Sequence, residues 1–129
     1  MTEEIQRNLK TEIEKYKEVQ KDYHKALSQR QQLDGQLHEN IVVKIELDLL
    51  KPKDDVFKLI GPVLIKQDLE EAKQNVAKRI EYISSEVKRV EELITTLDKK
   101  QDTLRETLEK YQQMFLQAQE KASMSQPKA

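Results

Sequence analysis

The sequence has no cysteine and no tryptophan, and it has only two glycines and three prolines in 129 residues. The lack of cysteine excludes disulfide bonds and thiolate metal sites and is compatible with a reducing compartment. The scarcity of glycine and proline leaves few points at which a helix must end, and no glycine-rich phosphate loop is present. These absences argue against a disulfide-stabilised domain and against a nucleotide-binding domain.

Apolar residues are also in short supply. Hydrophobic residues make up 36% of the chain, the same share as charged residues, so a compact globule is not expected. The apolar residues recur with a helical period, which favours long helices over disorder. The sequence predicts neither a signal peptide nor a membrane span. A formal net charge of −1, with acids and bases interspersed, predicts no binding to nucleic acid or to an anionic membrane.

A heptad pattern in the first part of the chain predicts a coiled-coil helix over residues 3–49. Its apolar core positions are Ile5, Leu9, Tyr16, Val19, Tyr23, Ala26, Leu33, Leu37 and Leu47. Polar residues such as Arg30 and Lys44 occupy other core positions and make the seam imperfect. Gly35 falls on the outer face, where it weakens the helix without opening a hole in the seam. Pro52 disfavours helical geometry at the preceding residue, so the helix is expected to end before it.

A cleaner repeat over residues 68–121 predicts a second coiled-coil helix. Its apolar positions alternate in steps of three and four, with Lys73 and Gln101 as polar exceptions. They are Leu69, Val76, Ile80, Ile83, Val87, Val90, Ile94, Leu97, Leu104, Leu108, Tyr111, Phe115 and Ala118. Such a helix needs a partner, so the two helices are expected to fold back antiparallel and to bring the chain ends together. Residues 122–129 are interpreted as a disordered tail.

The stretch between the helices does not follow the helical period, and residues 54–67 are predicted to form a β-hairpin. Val, Phe, Leu and Ile crowd its two halves, and Gly61-Pro62 interrupts them. Counting alternate positions places Phe57, Leu59, Val63 and Ile65 on one face, and Val56, Lys58, Ile60, Leu64 and Lys66 on the other. A lone hairpin is marginal in water and has two unpaired edges, so strands from other subunits are expected to complete it. An internal turn that needs no partner is the other interpretation.

The order of elements and the sequence around the hairpin resemble the β-type prefoldin family. The resemblance is carried by Glu39-Asn40-Ile41-Val42-Val43-Lys44, by the hairpin from Val56 to Gln67, and by Asp68-Leu69-Glu70-Glu71-Ala72. It implies a mainly α chain, with a long antiparallel two-helix coiled coil and a central β-hairpin that joins an intersubunit β-barrel. It also implies a cytoplasmic heterohexamer of prefoldin subunits that works without ATP or any cofactor. Such a complex binds unfolded actin and tubulin and passes them to the cytosolic group II chaperonin.

Two sets of residues are predicted to carry this function. The assembly hairpin comprises Val56, Phe57, Leu59, Ile60, Val63, Leu64 and Ile65. The client-binding tip, where the two helix ends meet and have fewer neighbours, comprises Ile5, Leu9, Tyr111, Met114, Phe115 and Leu116. Seam packing is the alternative role for Ile5, Leu9, Tyr111 and Phe115, whereas Met114 and Leu116 lie off the strict seam. The sequence does not separate contact with a client from contact with the chaperonin.

Other functions remain open on the sequence alone. A coiled-coil scaffold or tether without client binding is the main alternative to a chaperone subunit. An enzyme is not expected, because two paired helices offer no cleft that excludes water and no nucleophile lies beside an activating base. His24 and His38 are too far apart on one helix to share a metal ion, so both are predicted to be surface residues and no metal site is expected.

Overall fold

The computed structural model describes residues 2–125. Helix α1 spans Thr2–Asp48, strand β1 spans Val56–Ile60, strand β2 spans Val63–Gln67 and helix α2 spans Leu69–Ser125. The predicted arrangement of two long helices with one antiparallel hairpin between them is confirmed. Over the described part of the chain, neither helix contains an apolar segment long enough to cross a membrane.

Helix α1 ends in a short hydrogen-bonded turn around Pro52. The Leu50 amide closes the end of the helix by donating to the Leu47 carbonyl oxygen at 3.2 Å. The Lys51 amide then donates to the Asp54 carboxylate at 2.7 Å, and the Asp54 amide donates to the Lys51 carbonyl oxygen at 2.9 Å. Aspartate favours such turns because its short carboxylate reaches nearby backbone amides. Pro52 cannot continue the helix, so the chain leaves it here.

Helix α2 begins with a side-chain cap. The Asp68 carboxylate accepts a hydrogen bond from the Glu71 amide at 3.2 Å, and the Asp68 carbonyl oxygen accepts one from the Ala72 amide at 2.9 Å. The carboxylate therefore satisfies one of the amides that a helix N-terminus leaves unpaired. Glu70 and Glu71 also place negative charge in the first turn, at the positive end of the helix dipole. The cap fixes the residue at which the chain passes from the hairpin into the helix.

At its other end, α2 continues further than the sequence predicts. The prediction of a disordered tail over residues 122–129 is wrong for residues 122–125, which are helical. Ala122 and Met124 favour helix, and Pro127 is the first residue there that opposes it. The rest of the predicted tail, residues 126–129, lies outside the described residues.

The register of the hairpin corrects the predicted assignment of its two faces. Ile60 lies opposite Val63, and Leu59 lies opposite Leu64. Because residues directly opposite each other share a face, one face carries Phe57, Leu59, Leu64 and Lys66, and the other carries Val56, Lys58, Ile60, Val63, Ile65 and Gln67. The prediction counted alternate positions straight through the turn, whereas a two-residue turn shifts the second strand by one position. Apolar side chains occupy both faces in either assignment.

Gly61 makes this tight turn possible. Its φ angle of 57° lies in the left-handed region, where residues with a Cβ are strained. Pro62 follows, with a φ angle held near about −65° by its ring. A positive φ followed by a negative one fits a type II′ turn, whose twist matches that of the paired strands. At the open end of the hairpin, the Asp55 carboxylate contacts the Lys66 ammonium at 3.3 Å.

The chain divides into two compact units, and each contains part of both helices. The hairpin unit comprises Ser28–Glu91. Its core consists of Leu47, Leu69, Ala72 and Val76, with Leu50, Val56 and Ile80 packed against it. Val56 therefore attaches the strands to the helices. Between the helices of this unit, the Arg30 guanidinium contacts the Glu91 carboxylate at 3.0 Å.

The terminal unit contains the residues up to Leu27 and those from Glu92 onward. Its buried side chains include Ile5, Ala26, Leu97 and Gln101. Arg105 Nε donates a hydrogen bond to the Tyr16 hydroxyl at 2.8 Å, which links the two helices at an exposed position. In both units, every apolar residue of the predicted seam is buried or half-buried, which confirms the apolar heptad positions, whereas Lys44 at a predicted core position is exposed.

Candidate functional site

The hairpin exposes apolar side chains on both of its faces. On one face, Phe57, Leu59 and Leu64 are 53%, 68% and 65% exposed. On the other face, close to half of each side chain is exposed for Ile60, Val63 and Ile65. Fully burying one such side chain is worth about 1.5–3 kcal/mol, so this surface favours association strongly. Contiguous exposed apolar surface of this kind marks an interaction site.

The hairpin also has two free backbone edges. Within the described residues it is a two-stranded sheet, so each strand is paired on one side only. In a hairpin with a two-residue turn, the residue pair next to the turn, here Ile60 and Val63, exchanges backbone hydrogen bonds. The following pair, Leu59 and Leu64, does not. The amide and carbonyl groups of Leu59 and Leu64 therefore point outward, as do those of Phe57 and Lys66. These groups are available to pair with an added strand.

A groove of about 300 Å³ separates the hairpin from the helices of the same unit. Val43 of α1, Phe57 and Leu59 of β1, and Val76 and Arg79 of α2 contribute to its lining. The groove places exposed strand side chains beside the helices. An added chain in this region can therefore contact both strand and helix.

The last turns of α1 add apolar surface that the heptad pattern did not predict. Ile41, Val42 and Ile45 are 39%, 39% and 56% exposed. With 3.6 residues per turn, they lie on the side of the helix away from Leu47, which packs against α2. We call these three residues the α1 patch. The sequence feature that could have predicted this exposed surface is the run of β-branched residues Ile41-Val42-Val43. Such a run is unusual on the exposed face of a helix.

The predicted tip residues separate into buried and exposed members. Ile5 is buried, with 8% exposure, whereas Met114 and Leu116 are 40% and 59% exposed. The half-buried members are Leu9, Tyr111 and Phe115. Ile5 and Met114 line one cavity of about 270 Å³ together with Ala118. The structure thus brings the two helix ends together, places Ile5 in the seam and leaves Met114 and Leu116 open to a ligand.

A second groove in the terminal unit was not predicted from the sequence. It has a volume of about 620 Å³, and its lining includes Val19, Leu104, Lys15, Lys99 and Lys100. Val19 and Leu104 were assigned to the seam, but each is only half-buried.

Among the charged and imidazole groups, Arg89 and His24 make contacts within their own helices. The Arg89 guanidinium contacts the Glu86 carboxylate at 2.9 Å, and this hydrogen bond raises the pKa of Arg89 above its already high ordinary value. Arg89 therefore keeps its charge throughout the physiological pH range. The His24 ring packs edge-to-face on Tyr23, with ring centroids 6.0 Å apart. In the part of the chain that the structure describes, no three His, Asp or Glu residues are grouped as metal ligands.

Known proteins resemble the chain over most of its length. A family model described as "Prefoldin subunit" matches residues 10–115. The chain is 50% identical to prefoldin subunit 6 of Mus musculus over 119 residues, which cover 92% of this chain and 94% of that protein. It is 47% identical to prefoldin subunit 6 of Arabidopsis thaliana over 98 residues, which cover 76% of each protein. The matched regions include the hairpin and large parts of both helices.

A solved structure has the same fold. The prefoldin beta subunit from Thermococcus strain KS-1 matches with a TM-score of 0.74, covering 80% of this chain and 90% of that chain. The two sequences are 17% identical, so this likeness concerns the fold alone.

Proposed function

The chain belongs to the prefoldin family, and from this premise we propose that it is one subunit of a hexameric, ATP-independent co-chaperone for unfolded polypeptides. Members of this family are non-enzymatic chaperone components that assemble with other prefoldin subunits. In our proposal, the hairpin joins strands of sister subunits in a β-barrel, and the tip in the terminal unit holds the client. The proposed clients are nascent actin and tubulin, which are passed to the cytosolic group II chaperonin in the cytoplasm.

The observation that carries this proposal is the exposed hairpin. Its two faces are both apolar, and no strand among residues 2–125 pairs with either of its edges. Strands that are apolar on both faces belong in sheets that are covered on both sides. Closing strands from several chains into a barrel would pair the free edges and bury the apolar faces together. Folding of the hairpin and assembly of the complex are therefore coupled.

The open tip residues support a weak and reversible client contact. Met114 and Leu116 are exposed in the terminal unit, and burying one such side chain contributes about 1.5–3 kcal/mol. A single tip should therefore bind an unfolded segment weakly. Several tips in one complex raise the effective concentration of binding sites, which holds the client, while each contact remains weak enough to release it.

A mass measurement of the reconstituted complex tests the assembly proposal. Sister prefoldin subunits are mixed with or without this chain, and the products are weighed intact by native mass spectrometry. We expect a hexamer only when the chain is present, and incomplete assemblies without it. A complete hexamer that forms without the chain would contradict the proposal.

A coiled-coil scaffold without client binding is the alternative function, and it makes different predictions. A scaffold should purify alone as a stable, well-behaved dimer, whereas an exposed hairpin should aggregate or associate poorly until sister subunits are added. The reconstituted complex should also suppress aggregation of unfolded actin without ATP. A complex that forms but leaves actin aggregation unchanged would favour the scaffold.

A further inference from the structure

The α1 patch is apolar although no part of the described chain covers it. Ile41, Val42 and Ile45 are β-branched, a side-chain class that lowers helix propensity and gains stability only when it packs. Leu47 and Val43 bring apolar side chains to other sides of the same turns. Apolar side chains on more than one side of a helix normally each pack against a partner. Here α2 covers the side of Leu47, and the α1 patch remains exposed.

The α1 patch lies in turns of α1 that also face the hairpin through Val43 and Leu47. Leu49 is 78% exposed, and its amide donates to the Ile45 carbonyl oxygen at 3.3 Å. The next residue, Leu50, packs against the core cluster that also contacts Val56, the first residue of β1. Val43, in the same turns of α1, lines the groove beside Phe57 and Leu59. The α1 patch and the free strands therefore belong to the same part of the hairpin unit.

Charged side chains border the α1 patch, and all of them except Lys44 are acidic. Glu39, Glu46 and Asp48 are exposed, and none of the ion pairs found between residues 2 and 125 involves them. An apolar centre with a charged rim is the usual anatomy of a protein interface. The complementary surface is apolar with basic side chains around it.

We propose that the α1 patch is a second contact with a sister prefoldin subunit, made through helix α1 in addition to the strand pairing. This inference rests on the proposed function, because it takes the hairpin to be an assembly surface. The sister subunit is favoured over the client because the α1 patch and the hairpin belong to the same compact unit, while the open tip residues belong to the terminal unit. The partner supplies an apolar surface bordered by lysine or arginine side chains.

Thiol labelling tests this contact directly, because the chain has no cysteine of its own. Ile45→Cys introduces one thiol in the α1 patch, and Ser28→Cys introduces one at an exposed position on the same helix. Both variants are labelled with a maleimide, alone and in the reconstituted complex, and the mass of this chain is measured. We expect loss of labelling for Ile45→Cys in the complex, with Ser28→Cys unaffected.

Three results would overturn the inference. The thiol of Ile45→Cys could label equally fast in the free chain and in the complex. It could be protected in the chain alone at high concentration, which would indicate a second copy of this chain. It could become protected only when unfolded actin is added, which would indicate a client site.

A pair of variants separates the α1 patch from the hairpin. Ile41→Gln with Ile45→Gln should weaken incorporation into the complex by about tenfold while the helix content of the free chain is unchanged. Leu59→Pro removes an outward amide of β1 and should block incorporation through the strand edge. If the variant with Ile41→Gln and Ile45→Gln assembles normally but Leu59→Pro does not, the inferred α1 contact is wrong and the hairpin proposal stands. If Leu59→Pro also assembles normally, the proposed function itself fails.

Discussion

At the residue scale, a few side chains determine where the elements begin and which surfaces stay open. Asp68 caps α2 directly after the hairpin, so it fixes the junction between the strands and the helix. Met114 and Leu116 flank the half-buried Phe115 and remain exposed. The sequence could predict these residues as a group near the tip, because they cluster at the end of the heptad pattern. The heptad pattern also separates Ile5, a seam residue, from Met114 and Leu116, which lie off the seam, and the exposures agree with it. It could not predict how far each side chain is exposed, since exposure depends on how the opposite helix packs.

Removing the Asp68 cap should destabilise the start of α2. Asp68→Ala leaves the Glu71 amide without its side-chain acceptor and should lower the free energy of unfolding by about 1 kcal/mol. Asp68→Asn keeps an acceptor oxygen at the same position and serves as the matched control. Urea unfolding followed by circular dichroism measures both. Equal stability of Asp68→Ala and Asp68→Asn would show that the cap contributes nothing.

The exposed tip residues should affect client holding without affecting the fold. Met114→Gln with Leu116→Gln removes apolar surface that is already open to water, so the melting temperature should change little. Suppression of actin aggregation by the reconstituted complex should fall, because each lost contact contributes about 1.5–3 kcal/mol when fully buried. Leu93→Gln, at a leucine of the same helix and unit that is 38% exposed, is the control. Unchanged holding by the double variant would place the client site elsewhere.

At the scale of elements, the sequence predicts the two helices better than it predicts the register of the hairpin. Two long heptad stretches predict the helices, because each seam side chain must be buried against a partner. The faces of the hairpin could not be assigned without knowing that the turn has two residues, since one residue more or less reverses a whole strand. The α1 patch was missed because a heptad template counts seam positions and ignores apolar residues such as Ile45 on the outer face.

The two glycines should respond in opposite ways to the same substitution. Gly35 is helical and a Cβ added there meets no atom within 4 Å, so Gly35→Ala should stabilise the protein by about 1 kcal/mol. Gly61 has a φ angle of 57°, so Gly61→Ala should strain the turn by about 1–2 kcal/mol. Thermal unfolding of the reconstituted complex measures both changes. A shift of the same sign for the two variants would contradict this assignment of the turn.

At the scale of the whole molecule, the hairpin requires partner strands from other chains. The hairpin exposes two apolar faces and two free edges, and nothing within residues 2–125 covers them. Sequence periodicity cannot identify the partner strands, because strand pairing between chains leaves no repeat in either chain. The resemblance to the prefoldin family supplied that expectation, and the exposed hairpin gives it a physical reason.

Amide hydrogen exchange at Leu59 and Leu64 tests the central claim most directly. Their amides point away from the partner strand and should exchange rapidly in the free chain. In the reconstituted complex, pairing with strands of sister subunits should protect both amides strongly. Rapid exchange at both positions in the intact complex would contradict the account, because the edges of the hairpin would then be unpaired in the assembly.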